Sequence, residues 1–220
     1  MRRDVLMALN GIESHDPELR SEGAIRVLEI GAGIEANFEM IGQKMKYWNI
    51  DPNTDFQNGF LEELRKNPKH AFYSLGVHPP YSCAVCRHGY QTAVLQAATA
   101  TVPAPAAAAS VGKQLVHMER CVVGYGENMK EVPDNHFDVV LTTHVFCSVQ
   151  CSEKVLQECR RVLVNGGRLV FMEHVALPKG TMGRFLQNLV APLWRLIVCG
   201  CNPNRDSGEV VNNAGFSRAQ

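Results

Sequence analysis

Apolar residues are grouped along the chain in short continuous or alternating runs, which are separated by segments with helical spacing. Runs of this kind are typical of strands that are buried in a sheet. Five of them occur, from Arg26 to Ile30, Lys46 to Ile50, Leu115 to Val123, Phe137 to Thr142 and Arg168 to Val175. Because the runs alternate with helical segments, we predict an α/β fold with a doubly wound parallel sheet.

The segments between these runs predict three helices. The first begins at Glu35, the second is capped by Asn53 or Thr54, and the third is capped by Ser152 and ends at the run from Asn165 to Gly167. Short polar side chains satisfy free backbone N–H groups at a helix start, whereas glycine suits a helix end. Each predicted helix therefore lies between two predicted strands.

A further helical stripe of apolar residues follows the fifth strand, from Met182 to Val198. We interpret it first as a helix that faces the core. The alternative is a cap over an apolar substrate pocket, lying on a membrane surface through residues 182–198. Pro192 predicts a kink within the stripe, which suits a cap better than a straight packed helix.

The apolar pattern is lost between about 71 and 113, where prolines and alanines dominate. A structureless loop of this length is uncommon inside a compact domain. We therefore predict an insertion, disordered or transiently helical, that interrupts a single domain spanning residues 1–220.

Length and charge limit the classes of function. The chain has 220 residues, with 22 Lys and Arg against 22 Asp and Glu, so that no strong field favours nucleic acid. The partner is expected to be a small molecule. Near the N-terminus the apolar run is far too short for a membrane span, and no signal peptide is recognised. The eight cysteines are interpreted as reduced thiols in a cytosol-facing protein.

A glycine turn after the first strand carries the strongest chemical signal. Glu29, Gly31, Ala32 and Gly33 follow the pattern of nucleoside-binding turns, and Asp51 ends the next strand at a suitable distance. Small residues let the backbone approach a ligand, and a carboxylate at this place can accept hydrogen bonds from a ribose diol. The alternatives are an ordinary strand-to-helix turn and an Asp51 that only caps the following helix.

The cysteine motifs are weaker signals. Cys147 is interpreted as a buried packing residue. The beginning of a metal motif, Cys83-x-x-Cys86-x-His88, has no second ligand pair at a zinc-site spacing, and Cys199-x-Cys201 has no partner pattern. No metal site is predicted from these spacings.

A series of short motifs extends the glycine signal over most of the chain. They are Leu28 to Gly33, Ile50 to Asn53, Gly126 to Met129, Phe137 to Val140, Cys147 to Gln150, Arg160 to Leu163 with Gly166-Gly167, and Glu173 to Val175. In this order they resemble a class I S-adenosylmethionine-dependent methyltransferase. More narrowly, they resemble the membrane-associated thiol S-methyltransferases of the methyltransferase-like group. The resemblance covers nearly all of the chain outside 71–113.

This resemblance implies a Rossmann-like fold, S-adenosyl-L-methionine as cofactor and a set of site residues. The resemblance implies that the methionine end of the cofactor is bound by Glu29, Gly31, Ala32 and Gly33, and the ribose by Asp51. It implies that the adenine region is contacted by Glu127, Asn128 and Met129. Thr142 and His144 would lie next to the sulfonium and the substrate. His174, which follows the fifth predicted strand, is the candidate catalytic base. The alternative for His174 is a histidine held by backbone at the rim of the sheet.

The implied function is methyl transfer to a small acceptor, with an alkyl or aryl thiol as the leading substrate. The alternatives are another small acceptor, such as a phenol, a quinone or a lipid-like molecule, and an inactive cofactor-binding remnant or splice variant. The resemblance places the protein in the cytoplasm, or at the cytosolic face of the endoplasmic reticulum or a lipid droplet. It does not indicate an oligomeric state.

Three features depart from the family pattern. Glu35 stands where the motif has a third glycine, so that its carboxylate is expected to weaken cofactor binding. The family's hydrophobic N-terminal anchor is not recognised. The chain stops about where the sixth family strand begins, which predicts that the final antiparallel hairpin is lacking and that the fifth predicted strand forms an edge.

Overall fold

Parallel strands form the centre of the protein. In this computed structural model they are β1 (Ala24–Ile30), β2 (Lys44–Asp51), β3 (His70–Phe72), β4 (Val116–Val123), β5 (Phe137–Thr143) and β6 (Leu163–Met172). They form one six-stranded sheet in the order β3-β4-β2-β1-β5-β6. Every described pairing is parallel, as the alternation of strands and helices predicted.

One helix precedes the first strand, and the others connect strands or follow the last one. They are α1 (Pro17–Ser21), α2 (Thr54–Lys66), α3 (Ser152–Val162), α4 (Met182–Ile197) and α5 (Ser207–Asn212). The Asn53 side chain accepts hydrogen bonds from the first backbone N–H groups of α2, at Asp55 and Phe56. The predicted cap of this helix is therefore confirmed.

The structure describes residues 7–33, 41–66, 70–72, 115–198 and 200–217. Several sequence predictions fall outside these residues: the helix beginning at Glu35 and the effect of the Glu35 carboxylate, the motif from Cys83 to His88, residues 73–113 of the predicted insertion, and Cys199. The first two residues of that insertion belong to β3, which pairs with β4 and was not predicted.

The start of β6 differs from the prediction. We expected α3 to end at the run from Asn165 to Gly167, but it ends at Val162, and these residues lie inside β6. Phe137 pairs with Leu163, and Val139 pairs with Arg168. Between these two pairs the chain advances by five residues in β6 but by only two in β5. The glycines therefore accommodate an irregularity in the ladder rather than a helix end.

Apolar side chains cover both faces of the sheet. One cluster joins Tyr47 of β2 to Phe60 of α2, and their rings stack with centroids 5.9 Å apart. The other cluster joins Phe137 of β5 to Val155 of α3, together with Phe146. With α2 on one face and α3 on the other, the sheet is doubly wound.

The helix α4 does not face the core, which makes our first interpretation of its apolar stripe wrong. Ala191 is its one buried residue, and nine apolar side chains of the helix are 41–83% exposed. They are Met182, Phe185, Leu186, Leu189, Val190, Leu193, Trp194, Leu196 and Ile197. Helical periodicity predicted the stripe correctly, but it does not tell which surface covers a stripe.

None of the described helices combines the length and the apolar character that crossing a bilayer requires.

The packing of α2 gives a stability prediction. Phe60→Ala should lower the free energy of unfolding by about 3–5 kcal/mol, because it opens a cavity beside Tyr47. Phe56→Ala is the matched control on the same helix. Since Phe56 is 37% exposed, its loss should be about 1 kcal/mol or less. Urea unfolding measures both, and equal losses would contradict this account of the core.

Candidate functional site

The glycine turn after β1 is tied to two neighbouring elements. Gly31 has a φ of +65°, and its N–H donates to the carbonyl oxygen of Ile50 at 2.9 Å. A Cβ atom at Gly31 would lie 2.9 Å from Cγ2 of Val145, in the loop after β5. Position 31 therefore requires glycine for its backbone conformation and also for the close approach of this loop.

Asp51 faces the same turn from the end of β2. Its buried carboxylate accepts hydrogen bonds from the N–H groups of Asn53, at 2.8 Å, and of Gly33. Burial raises the pKa of Asp51, and these two N–H groups act in the opposite direction. Asn53, rather than Asp51, caps α2, so the carboxylate joins the glycine turn to β2 instead of serving only as a helix cap.

The second glycine of the turn, Gly33, has no close neighbour among the described residues. Gly33 has a φ of +64°, and no described heavy atom lies within 4 Å of the position that a Cβ would take. Ala32, by contrast, is buried in the core cluster of α2. The described part of the turn therefore presents backbone, not side chains, to the carboxyl edge of the sheet.

Glu29 lies beneath the turn. It is fully buried within β1, and its carboxylate accepts a hydrogen bond from the hydroxyl of Tyr47. The structure thus places a carboxylate two residues before Gly31, and this carboxylate contacts the core side chain Tyr47.

The segment after β4 is arranged around backbone contacts. The carboxylate of Glu127 accepts from the N–H of Gln150 at 2.8 Å, whereas Asn128 is exposed. Met129 is buried in the core, and its N–H donates to Glu158 at 2.7 Å. Of the three residues proposed for the adenine, Asn128 is therefore the one with an exposed side chain.

Thr142 and His144 lie at the end of β5. Thr142 is fully buried, and its hydroxyl has no hydrogen-bond partner among the described atoms. His144 is exposed at a φ of +58°, and its ring stacks on that of His174 with centroids 4.3 Å apart. The structure therefore brings His144 and His174 together across β5 and β6.

Sequence reasoning missed the role of Glu173. Its carboxylate accepts from the N–H groups of Val145 at 2.6 Å, Phe146 at 2.9 Å and Cys147 at 3.4 Å. Burial raises the pKa of Glu173, and these N–H groups act in the opposite direction. The available signal was an acidic residue at the end of a strand, beside a loop with free N–H groups.

Two residues after α4 hold the same loop through its carbonyl oxygens. Asn202 donates to the carbonyl of Cys147 through its backbone N–H at 2.8 Å and its side-chain amide at 3.0 Å. Arg205 donates to the carbonyl oxygens of Phe146 at 2.5 Å and Val149 at 2.7 Å. No sequence pattern indicated either residue, because both contacts join segments more than 50 positions apart.

Two thiols meet His174 beside this loop. Sγ of Cys147 lies 3.3 Å from Sγ of Cys201, which lies 3.4 Å from Nδ1 of His174. Burial raises the pKa of Cys147 to about 12, so its side chain is a neutral thiol near pH 7. Cys147 is buried, as predicted, but it is packed against polar partners rather than apolar ones alone.

The candidate site lies where the strand order reverses. From β1 the chain continues on one side to β2 and β4, and β5 and β6 then lie on the other side. Crevices of this kind, at the carboxyl ends of parallel strands, bind nucleoside ligands in α/β proteins. Gly31, Gly33, Asp51, Thr142 and His144 all lie at this edge.

Comparison with known proteins finds similarity to methyltransferases. A family profile described as a methyltransferase domain matches residues 82–171. Thiol S-methyltransferase TMT1B of Rattus norvegicus is 32% identical over 196 residues, which are 89% of this chain and 62% of that protein. Thiol S-methyltransferase TMT1A of Homo sapiens gives the same identity and the same coverage. The chain thus spans less than two thirds of the length of these relatives.

Solved structures share the fold. The YcgJ protein of Bacillus subtilis matches with a TM-score of 0.57 and 15% identity, over 96% of this chain and 64% of that one. A SAM-dependent methyltransferase from Aquifex aeolicus matches with a TM-score of 0.51 and 15% identity, over 99% and 81%.

The sequence matches and the doubly wound parallel sheet agree with each other, and the cofactor that they imply is S-adenosylmethionine. Over 89% of its length the chain is similar to thiol S-methyltransferases, residues 82–171 match a methyltransferase domain, and the fold is that of a solved methyltransferase structure.

Proposed function

We propose that the protein binds S-adenosylmethionine at the carboxyl ends of β1, β2 and β5 and transfers its methyl group to a small thiol. The observation that carries this proposal is the contact between the Gly33 N–H and the buried Asp51 carboxylate at the point where strand order reverses. The names of the relatives support the thiol as acceptor.

The described residues fit such a cofactor in two respects. Among the described residues, none has an atom within 4 Å of the position that a Gly33 Cβ would take, so that they leave the backbone there accessible to a ligand. The buried hydroxyl of Thr142 has no partner among the described atoms, and a bound polar group would satisfy it. By their place in the motif that resembles methyltransferases, we assign Glu29, Gly31, Ala32 and Gly33 to the methionine end.

Asp51 is assigned to the ribose. One carboxylate oxygen accepts from Asn53, and a carboxylate can accept more hydrogen bonds than the two described here. We assign Glu127, Asn128 and Met129 to the adenine region. The exposed Asn128 side chain is the one able to contact the base directly, whereas Glu127 and Met129 shape the loop that surrounds it.

Positioning is the main contribution of the protein to this chemistry. The cofactor supplies a methyl group on a cationic sulfur, which is already activated as a leaving group. Holding an acceptor in line with that bond can contribute about 7–11 kcal/mol through proximity and orientation. Thr142 and His144 are proposed to border this position from the end of β5.

His174 is proposed to accept the proton of the thiol. This role requires the ring proton on Nδ1, where it can be donated to Sγ of Cys201 at 3.4 Å, which leaves Nε2 as the base. The thiol proton would pass to Nε2, and the thiolate would then be held where a bound cofactor could supply its methyl group and leave as the neutral thioether. The stacked ring of His144 restricts the orientation of His174.

Helix α4 is proposed to lie on a membrane surface beside the site. Its polar side is held by the segment after it, because Gln187 donates to the carbonyl of Pro203 at 2.9 Å and Arg184 pairs with Asp206 at 3.1 Å. Its apolar side is exposed. The helix has no acidic residue and has the exposed Arg195 in its last turn, which suits anionic lipid headgroups.

This placement gives the acceptor a route. An apolar thiol dissolved in the membrane would reach the carboxyl edge of the sheet next to α4, without crossing water. The cytosolic face of the endoplasmic reticulum or of a lipid droplet stays our prediction for the location. A phenol, quinone or lipid-like acceptor would use the same route, so the acceptor must be decided by assay.

Calorimetric titration with S-adenosylhomocysteine tests the cofactor site. Asp51→Ala should weaken binding by at least about tenfold, because hydrogen bonds to a charged group contribute about 1.5–3 kcal/mol. The exposed Asp55 at the start of α2 supplies the control Asp55→Ala, which should leave the affinity unchanged. Absence of binding by the unmodified protein at millimolar ligand would favour the inactive remnant. If binding is found, labelled methyl transfer to thiols but not phenols is the expected result.

The loop after β5 should depend on Glu173. Glu173→Ala should lower the free energy of unfolding by about 3 kcal/mol, since three N–H groups lose a charged acceptor. Glu173→Gln, which retains an acceptor oxygen, should lose less. A smaller loss for alanine than for glutamine would refute this role.

The pH dependence of the same variants has a defined sign. Because the pKa of Glu173 is raised above 4.5 on folding, its titration contributes most to stability below that pH, and the contribution is lost as pH rises through the folded pKa. The stability of the unmodified protein relative to Glu173→Gln should therefore fall over this interval. Urea unfolding at a series of pH values measures the difference.

Vesicle binding tests the role of α4. Leu189→Asp should reduce partitioning into phosphatidylcholine–phosphatidylserine vesicles by at least about tenfold, because a buried leucine contributes about 1.5–3 kcal/mol. Asn188→Asp adds the same charge on the side that contacts Asn204, and it should have little effect. Equal effects of both variants, or no binding by the unmodified protein, would count against membrane contact.

A further inference from the structure

Three side chains with soft or borderline donor atoms converge from segments that are distant in sequence. Cys147 lies after β5, His174 after β6 and Cys201 after α4. One donor atom from each residue lies within 4.8 Å of those of the other two. Cys147 is 1% exposed and Cys201 is 3% exposed, while His174 is half-buried.

We propose that Cys147, His174 and Cys201 bind a thiophilic cation, with Zn²⁺ as the representative ion. Two thiolates and one imidazole form a ligand set that zinc accepts, and they leave one coordination position open. In a tetrahedral site with Zn–S near 2.3 Å and Zn–N near 2.0 Å, the donor atoms lie roughly 3.4–3.8 Å apart. The distance of 3.3 Å between the two Sγ atoms and that of 3.4 Å between Sγ of Cys201 and Nδ1 of His174 are close to this spacing.

The backbone around the three residues is already held in place. The N–H of Cys147 is bonded to Glu173 and its carbonyl to Asn202, and these are the chain neighbours of His174 and Cys201 respectively. The N–H of Cys201 donates to the carbonyl of Val198 at 2.8 Å. A cation would therefore need to reorganise side chains but not the loops that carry them, which favours binding.

Binding would exchange protons for the cation. Each thiol releases its proton to solvent as its S–metal bond forms, and no electron is transferred. Zinc binding should accordingly become tighter as pH rises and should release protons that can be measured in weakly buffered solution.

The site also has a consequence that rests on the proposed function. A cation on Nδ1 moves the ring proton of His174 to Nε2, so that His174 can no longer accept the proton of a thiol. Stoichiometric Zn²⁺ should therefore inhibit methyl transfer. Cation binding itself is measured without cofactor or acceptor, which separates failure of this site from failure of the enzyme assignment.

The experiment uses the purified chain, stripped of metals by a chelator and kept reduced with a phosphine. Titration with Zn²⁺ should bind one ion per chain, and Co²⁺ should give thiolate charge-transfer absorption and the visible bands of a four-coordinate ion. Cys147→Ser and Cys201→Ser should each weaken binding by at least about tenfold. Cys151→Ser is the control for a half-buried thiol outside the cluster, and it should bind as the unmodified chain does.

A second control addresses the cysteine motif near the centre of the chain. Cys83 and Cys86 also offer thiols, so the double variant Cys83→Ser/Cys86→Ser should retain the same affinity. If this variant loses the ion while Cys147→Ser and Cys201→Ser retain it, the proposed site is wrong. Absence of binding by the reduced unmodified chain would also overturn it.

Thermal unfolding guards against variants that fail to fold. Zn²⁺ should raise the Tm of the unmodified chain and of Cys151→Ser, because an ion that binds only the folded state stabilises it. Failure of Zn²⁺ to raise either Tm at saturating concentration would contradict the proposal. Recovery of a Cys147–Cys201 disulfide from the oxidised protein, with no zinc bound by the reduced protein, would assign the pair to redox chemistry instead.

Discussion

The Glu173 carboxylate converges with three backbone N–H groups of the loop after β5, and the candidate site is organised around this interaction. A loop at the end of a central strand exposes N–H groups that the sheet ladder no longer satisfies, and each needs an acceptor. The neighbouring strand β6 supplies one, at the first residue after its end. The same loop reaches the glycine turn, because Val145 lies against Gly31.

A second set of contacts holds this loop from its other side. Asn202 and Arg205 donate to its carbonyl oxygens, so both the N–H and C=O groups of Phe146 and Cys147 have partners. These two residues also connect the site to α4, whose polar side is bound to the same segment after the helix. Through this connection the exposed apolar face of α4 and the proposed acceptor position belong to one structural unit.

His174 has two proposed roles that exclude each other chemically. As a base it needs its proton on Nδ1, whereas as a ligand it gives that nitrogen to the cation. The two thiols beside it decide which role is available, since they either accept a hydrogen bond or bind the ion together with the ring. Cation binding would thus act on the proposed chemistry through one nitrogen atom, without moving the strands that carry the site.

By itself, the sequence determined the doubly wound parallel sheet, the glycine turn and the place of Asp51, because periodicity and small residues are local properties. The short strand β3 and the irregular start of β6 could not be predicted, since a strand of three residues has no periodicity and Gly166 reads as a helix end. Tertiary structure alone decided that α4 is exposed and that Cys201 meets Cys147. Both depend on how distant segments pack. The sequence pattern of an apolar stripe or of a single cysteine is the same whether or not another segment covers it.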